Sequence, residues 1–322
     1  MAQDVLVVVE HLKGNIADVT YELLGKGREL ASSRGGSLVA ALLGSGMEEK
    51  AGLLAAADRV ALVDHPVLAE FNPEAYTAAL GEVVDKTGPE LILVANTSMG
   101  MDLAAALSVG KSTPLVAYAL DAVVEGESVI ATSQLYGGKI YAESVLEQGR
   151  GIVAILAGVL PSEPGRKSGA PEIARIDAPA SLEDGAVKFV GLIEPEGGDV
   201  DITQHDVLVA VGRGIQSADK LPMMEELAAA LGGAVCASRP IVDNHWLPKT
   251  RQVGKSGLTV KPKVYLALGI SGAPEHLEGM RGAELIIAVN TDPNAPIFGV
   301  AHYGATCDML DLLPALTERV SQ

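Results

Sequence analysis

Val264-Tyr265-Leu266-Ala267-Leu268-Gly269-Ile270-Ser271-Gly272-Ala273-Pro274 is the stretch on which the fold of its half of the chain turns. Its first five residues are an unbroken apolar and aromatic run, closed by a glycine-rich turn, the pattern of a strand buried on both faces. Proline at 274 suits the first turn of a helix, so a helix over 274–280 is predicted. A strand, a loop and a helix in that order make one βα unit of a parallel sheet.

The same rhythm extends in both directions. Strands are predicted over 207–211, 234–237 and 285–289, and helices over 222–231 and 305–313. Polar residues gather in the loops that follow strands: Gly212-Arg213-Gly214, Ser238-Arg239-Pro240, Gly269 to Gly272, and Asn290-Thr291-Asp292. Open parallel sheets take ligands outside the carboxyl ends of their strands, so that edge is the expected site. Upstream, strands are predicted over 5–9, 38–43, 59–63 and 91–95, and helices over 20–33, 73–87 and 100–109. From 123 to 156 the pattern shortens and alternates, as in antiparallel strands. Pro161, Pro164, Pro171, Pro179 and Pro195 mark 161–198 as the linker, with a strand over 188–193 inside it. The fold class is therefore α/β in two domains, 1–193 and 194–322, each a mainly parallel sheet flanked by helices.

Composition agrees with two domains for 322 residues. With 48% hydrophobic and 20% charged residues the chain is not a disordered one. Aromatic residues make up only 3%, which leaves Val, Leu, Ile and Ala to build the core, as parallel sheets do. Acids outnumber bases 41 to 24, and the net charge of -17 disfavours nucleic acid and anionic membrane surfaces. The longest apolar stretch, 151–160, is shorter than the roughly 20 residues of a membrane helix, so no integral membrane protein is expected. No basic segment precedes the first apolar run, against a signal peptide. Cys236 and Cys307 form no CxxC pair and suit a reducing, cytoplasmic setting. The six histidines lack HxxxH spacing, and no metal site is predicted.

Between Asp243 and Glu275 there is no acid, while Lys249, Arg251, Lys255, Lys261 and Lys263 fall in the segment. It reads either as a solvated loop or as a local positive field able to hold an anion. Val253-Gly254-Lys255-Ser256-Gly257 sets two glycines around a base and a hydroxyl, which would let backbone approach a ligand. It is not a Walker loop, which needs GxxxxGK[ST] opening a helix. The loop before Pro274 reads as an anion site at a helix start or as a tight turn with a capping serine. Gly212-Arg213-Gly214-Ile215-Gln216-Ser217 falls short of GxGxxG. Arg239 reads as a surface ion pair or a ligand contact, and His276 as an exposed residue near a helix start. No Ser-His-Asp spacing or carboxylate pair nominates a hydrolase.

As a set, these residues resemble the α subunit of electron-transfer flavoproteins. The resemblance is carried by Gly212-Arg213-Gly214, Ala237-Ser238-Arg239-Pro240, Gln252-Val253-Gly254-Lys255-Ser256-Gly257, Gly269 to Ala273, His276-Leu277-Glu278-Gly279-Met280, Ala288 to Pro293, Ala295 to Phe298, and Tyr303-Gly304. It spans nearly all of 207–320, with a looser likeness before it. It implies one FAD in the second domain, held by Arg213, Ser238, Arg239, Gln252, Val253, Gly254, Lys255, Ser256, Ser271, Gly272, Ala273, Pro274, Glu275, His276, Asn290 and Asp308. In the family the hydroxyl at the Ser256 position lies near flavin N5, and the residues at Arg239 and His276 lie by the isoalloxazine ring. A cationic arginine and histidine there would stabilise reduced, anionic flavin.

The resemblance also implies a β subunit as obligate partner, carrying AMP or a second FAD, with the first domain as the platform for it. Electrons would pass between acyl-CoA or other dehydrogenases and a quinone oxidoreductase or other acceptor, making the chain a redox carrier rather than an enzyme. Lys255 and Ser256 replace the glutamine and threonine of many carriers. Pro248-Lys249-Thr250-Arg251-Gln252 is similar to the run in nitrogen-fixation-associated and electron-bifurcating members. Two other readings stand beside it: a flavin- or NAD-dependent oxidoreductase with His276 as its acid or base, and a nucleotide-binding regulatory module drawn from the first domain.

Overall fold

A computed structural model describes residues 3–136, 139–183, 185–192, 200–254 and 256–321. The chain divides into two compact units, 1–191 and 192–322. In the first, the elements are β1 (Val5–Val8), a small hairpin of β2 (His11–Leu12) and β3 (Asn15–Ile16), α1 (Asp18–Arg34), β4 (Leu38–Gly44), β5 (Arg59–Asp64), α2 (Pro73–Thr87), β6 (Leu91–Ala95) and α3 (Ser98–Lys111). Then follow β7 (Leu115–Glu125), β8 (Ser128–Leu135), β9 (Ile140–Leu146), β10 (Gly151–Ile155) and β11 (Glu172–Arg175). Nine of these strands form one sheet in the order β11-β5-β4-β1-β6-β10-β7-β8-β9.

β1, β4, β6 and β10 are buried throughout, because an apolar cluster covers each face of the sheet. That is why they are continuous apolar runs in the sequence. α2 starts where Asn72 accepts hydrogen bonds from Glu74 and Ala75 N–H, with Pro73 in its first turn, and ends at Gly88 in the left-handed region. Thr97 caps α3 by accepting from Gly100 N–H.

Three expectations for this half change. The antiparallel segment begins earlier, at β7, and only β7, β8 and β9 belong to it. β10 runs parallel to both β6 and β7, as its full burial demands of a central strand. Much of the expected linker is instead strapped to the first unit: β11 extends the sheet beside β5, and Asn72 Nδ2 donates to Val187 O at 2.8 Å. Residues 188–192 form no strand, and Ile193 lies outside the described residues, as do 194–199 of the expected boundary.

The second unit contains β12 (Val207–Val211), α4 (Leu221–Ala230), β13 (Ala234–Ala237), α5 (Arg239–Asp243), β14 (Val264–Leu268), α6 (Pro274–Glu278), β15 (Leu285–Asn290), β16 (Tyr303–Thr306) and α7 (Met309–Val320). All five strands are parallel, in the order β13-β12-β14-β15-β16. Counted within the unit this is 2-1-3-4-5, the flavodoxin-like doubly wound order. Its switch point lies between β12 and β14, where successive connections leave in opposite directions. The helix expected over 305–313 begins instead at Met309. Tyr303–Thr306 is an exposed edge strand, and its Gly-Ala centre gives no apolar signal.

Candidate functional site

A cavity of about 640 Å³ opens at the carboxyl ends of these strands, within the range of roughly 300–1,000 Å³ for small-molecule sites. Four of the five strand ends contribute. Arg213 follows β12, Ser238 and Arg239 follow β13, Ser271 follows β14, and Asn290 is the last residue of β15. Gln252, Val253, Gly254 and Ser256 reach the same wall, where Val253 N–H donates to Ala237 O at 2.9 Å and lays the chain beside the end of β13.

The floor is made by glycine. Gly212 N–H donates to Leu268 O at 2.9 Å and Gly214 N–H to Gly269 O at 3.3 Å, knitting the loops after β12 and β14 at the switch point. A Cβ on Gly212 would lie 2.1 Å from Gly269 O, and Gly269 itself has φ +66°. Gly254 is required in the same way: its φ is +124° and a Cβ would meet Glu275 O at 2.5 Å. These glycines serve the approach of one loop to another, and Gly254 and Gly269 also line the cavity.

Two side chains end in oriented polar atoms. Lys249 Nζ can only donate, and it donates to Gln252 Oε1 at 3.1 Å, so the Gln252 amide nitrogen faces Ser256 Oγ at 2.8 Å. Having accepted this bond, the Ser256 hydroxyl keeps its own proton to donate. His276 is buried, with Nε2 2.9 Å from Tyr265 Oη and Nδ1 without a hydrogen-bond partner. Burial pushes its pKa down to about 4, with the Val253 backbone acting the other way. With no anion beside it the ring favours the neutral form at pH 7, and its burial overturns the expectation of an exposed histidine.

Charge at the cavity comes from Arg213 and Arg239, with Asp243 and Glu275 opposing. Arg239 Nε donates to Asp243 Oδ2 at 3.1 Å, an exposed i,i+4 pair that solvent leaves loosely held. Of the basic segment noted in the sequence, Lys249 reaches the wall through its bond to Gln252. Arg251, Lys261 and Lys263 line no part of the cavity, and Lys263 pairs with Asp206 at 2.8 Å beside the amino end of β14. Lys255 lies outside the described residues.

The remaining expected residues divide. Val253, Gly254, Ala273 and Glu275 line the cavity; Gly272, Pro274 and Asp308 do not. Gly272, at φ +85°, packs against the Ile297 backbone, Pro274 opens α6, and Asp308 caps α7 by accepting from Leu310 N–H at 2.9 Å. α6 has only five residues and no side-chain cap, so the loop before it is neither a strong dipole site nor a serine-capped turn. Asn290 reaches the cavity but is engaged on both ends of its amide, donating to Ile270 O at 2.8 Å and accepting from Asp292 N–H at 2.9 Å. Pro240, Gly269 and Ile270, in the loops expected at this edge though not among the expected cofactor contacts, line the wall too, and so does Asp243, whose sequence signal is its i+4 spacing from Arg239.

Two family descriptions match the chain: an electron transfer flavoprotein domain over residues 5–181 and an electron transfer flavoprotein FAD-binding domain over residues 201–281. Among curated relatives, Protein FixB of Azotobacter vinelandii is 37% identical, covering 98% of this chain and 90% of its own length. The electron transfer flavoprotein subunit alpha of Megasphaera elsdenii is 36% identical over 99% of this chain and 96% of its own length. Subunit LctC of the lactate dehydrogenase (NAD(+),ferredoxin) of Acetobacterium woodii is 35% identical over 97% of this chain and 75% of its own length. The cavity is built from what an FAD needs: guanidinium groups, a serine proton and a buried imidazole nitrogen with no partner among the described residues. With an FAD-binding domain matched where the cavity lies, and relatives covering nearly the whole chain, the protein belongs to the electron transfer flavoprotein α-subunit family.

Proposed function

We propose that the chain is the FAD-carrying half of a heterodimeric redox carrier, taking electrons from a dehydrogenase and passing them to a separate acceptor. The observation that carries this reading is the composition of the cavity wall. Arg213, Arg239 and Ser256 bring hydrogen-bond donors to an otherwise largely apolar wall, while its buried histidine, His276, is braced from behind by Tyr265. FAD supplies the one- and two-electron chemistry when bound. The chain's part is to hold it and set its potential: Arg213 offers a guanidinium with no ion pair among the described residues, and Arg239 a second one. Ser256 and His276 add oriented neutral groups whose bonds strengthen towards an acceptor that gains negative charge.

The partner is a β subunit, and the first unit is the platform for it. β9 is the free edge of the nine-stranded sheet, and it exposes Ile140, Tyr141 and Val145 to between half and two-thirds of their area. Exposed apolar edge strands are sites of association. The name of the LctC relative extends the reading to a carrier that couples NAD and ferredoxin, with a second flavin in the β subunit. Co-production with an electron transfer flavoprotein β subunit from the same organism tests the proposal. A yellow complex, reduced by a dehydrogenase only when both subunits are present, is expected. Turnover of a small-molecule substrate by this chain alone would refute it.

A further inference from the structure

Behind the cavity wall lies a polar chain that the carrier reading does not use. Cys236 on β13 and Tyr265 on β14 flank the central strand β12 on one face of the sheet, and both are fully buried. Cys236 Sγ lies 3.8 Å from Tyr265 Oη, and Tyr265 Oη lies 2.9 Å from His276 Nε2. The tyrosine has one proton and two neighbours. An imidazole nitrogen accepts far better than a thiol sulfur, so the phenol donates to Nε2 and the thiol donates to the phenol. Burial keeps all three neutral: it pushes the Cys236 thiol up to about 12 and the Tyr265 phenol well above its ordinary value.

We propose that Tyr265 is a positioning residue that fixes the tautomer of His276, holding the imidazole proton on Nδ1, the buried nitrogen with no hydrogen-bond partner among the described residues. A neutral imidazole has one proton, and with Nε2 accepting from Tyr265 that proton belongs to Nδ1. The reverse pattern would leave the phenol proton only the Cys236 sulfur at 3.8 Å to meet, a far weaker acceptor than an imidazole nitrogen at 2.9 Å, while Nδ1 finds no partner among the described residues in either tautomer. His276, which lines the cavity, then carries a single uncharged N–H at a fixed ring position. This rests on the proposed flavin role only for the identity of the group that Nδ1 meets.

The test is a long-range ¹H–¹⁵N correlation spectrum of ¹⁵N-histidine-labelled protein in complex with its partner, wild type and Tyr265→Phe. The wild type is expected to show His276 as one neutral tautomer, with Nε2 at the shift of an unprotonated ring nitrogen. Tyr265→Phe is expected to lose that single pattern and move Nε2 towards the protonated shift. Wild-type Nε2 already protonated, or an unchanged pattern in Tyr265→Phe, would overturn the inference. If the variant does not fold, the wild-type spectrum alone decides. A complex that takes up no FAD would defeat the carrier reading while leaving the tautomer measurement valid.

Discussion

Gln252 Nε2 donates to Ser256 Oγ at 2.8 Å, and it is Lys249, bonded at 3.1 Å to the other end of the same amide, that fixes this direction. Gln252→Glu would turn it round. A carboxylate can only accept, so Ser256 would donate to it and present lone pairs to the cavity. Loss of one such donor is worth about 1–1.5 kcal/mol, which for a two-electron couple is about 30 mV. The flavin midpoint potential of Gln252→Glu should fall by at least that amount with FAD content retained. Potentiometric titration checks it, and an unchanged potential would show that Ser256 does not face the flavin.

His276 makes the protein acid-sensitive. Its folded pKa of about 4 lies below the ordinary 6.5, so the unfolded chain binds this proton first as the pH falls. The contribution to stability is whole above pH 6.5 and is lost on descent towards pH 4. It is on the order of 3 kcal/mol across the full window. Urea unfolding at pH 7 and pH 4.5 should show wild type losing ~2 kcal/mol more than His276→Asn.

Gly212→Ala should loosen the cavity floor although residue 212 has an ordinary backbone conformation. Its new methyl would sit 2.1 Å from Gly269 O, so the two loops must part. Overpacking of this kind costs about 1–3 kcal/mol. Thermal unfolding of the second unit should shift down and FAD affinity should drop with it, while unfolding of the first unit stays in place.

Ile140→Lys with Tyr141→Glu should weaken capture of the β subunit and leave the fold intact, because both side chains are more than half exposed on the outer strand. Size-exclusion chromatography of the co-produced subunits reads the outcome. A complex of undiminished stability would move the interface elsewhere on the first unit.

The elements legible in the sequence are those whose burial is one-sided in neither direction. Val207–Val211, Ala234–Ala237 and Val264–Leu268 are unbroken apolar runs because helices or loops cover both faces, and each was bounded to the residue. Two exposed edge strands escaped: Glu172–Arg175 and Tyr303–Thr306 bury little of their side chains and show no apolar run, whereas Ala234–Ala237, also at an edge, is fully buried. The site loops were legible through their order after strands. The Lys261 to Lys263 charges misled, because sequence proximity hides which end of β14 they occupy. Lys263 precedes a five-residue strand and Ser271 follows it, a separation of about 16 Å along the strand alone. Tyr265 escaped for the opposite reason: within an apolar run a tyrosine looks like core, and only its 2.9 Å contact with His276 gives it a role.

The central claim is that the cavity at the carboxyl ends of β12 to β15 holds the FAD. Flavin released from the purified heterodimer by acid and quantified against protein tests it directly when wild type is compared with Ser271→Trp, whose indole would fill the cavity from an exposed position on its wall. The account predicts at least one FAD per wild-type heterodimer and one fewer in the variant, with the heterodimer still assembled. A colourless wild type that cannot take up FAD, or an undiminished count in Ser271→Trp, would contradict it.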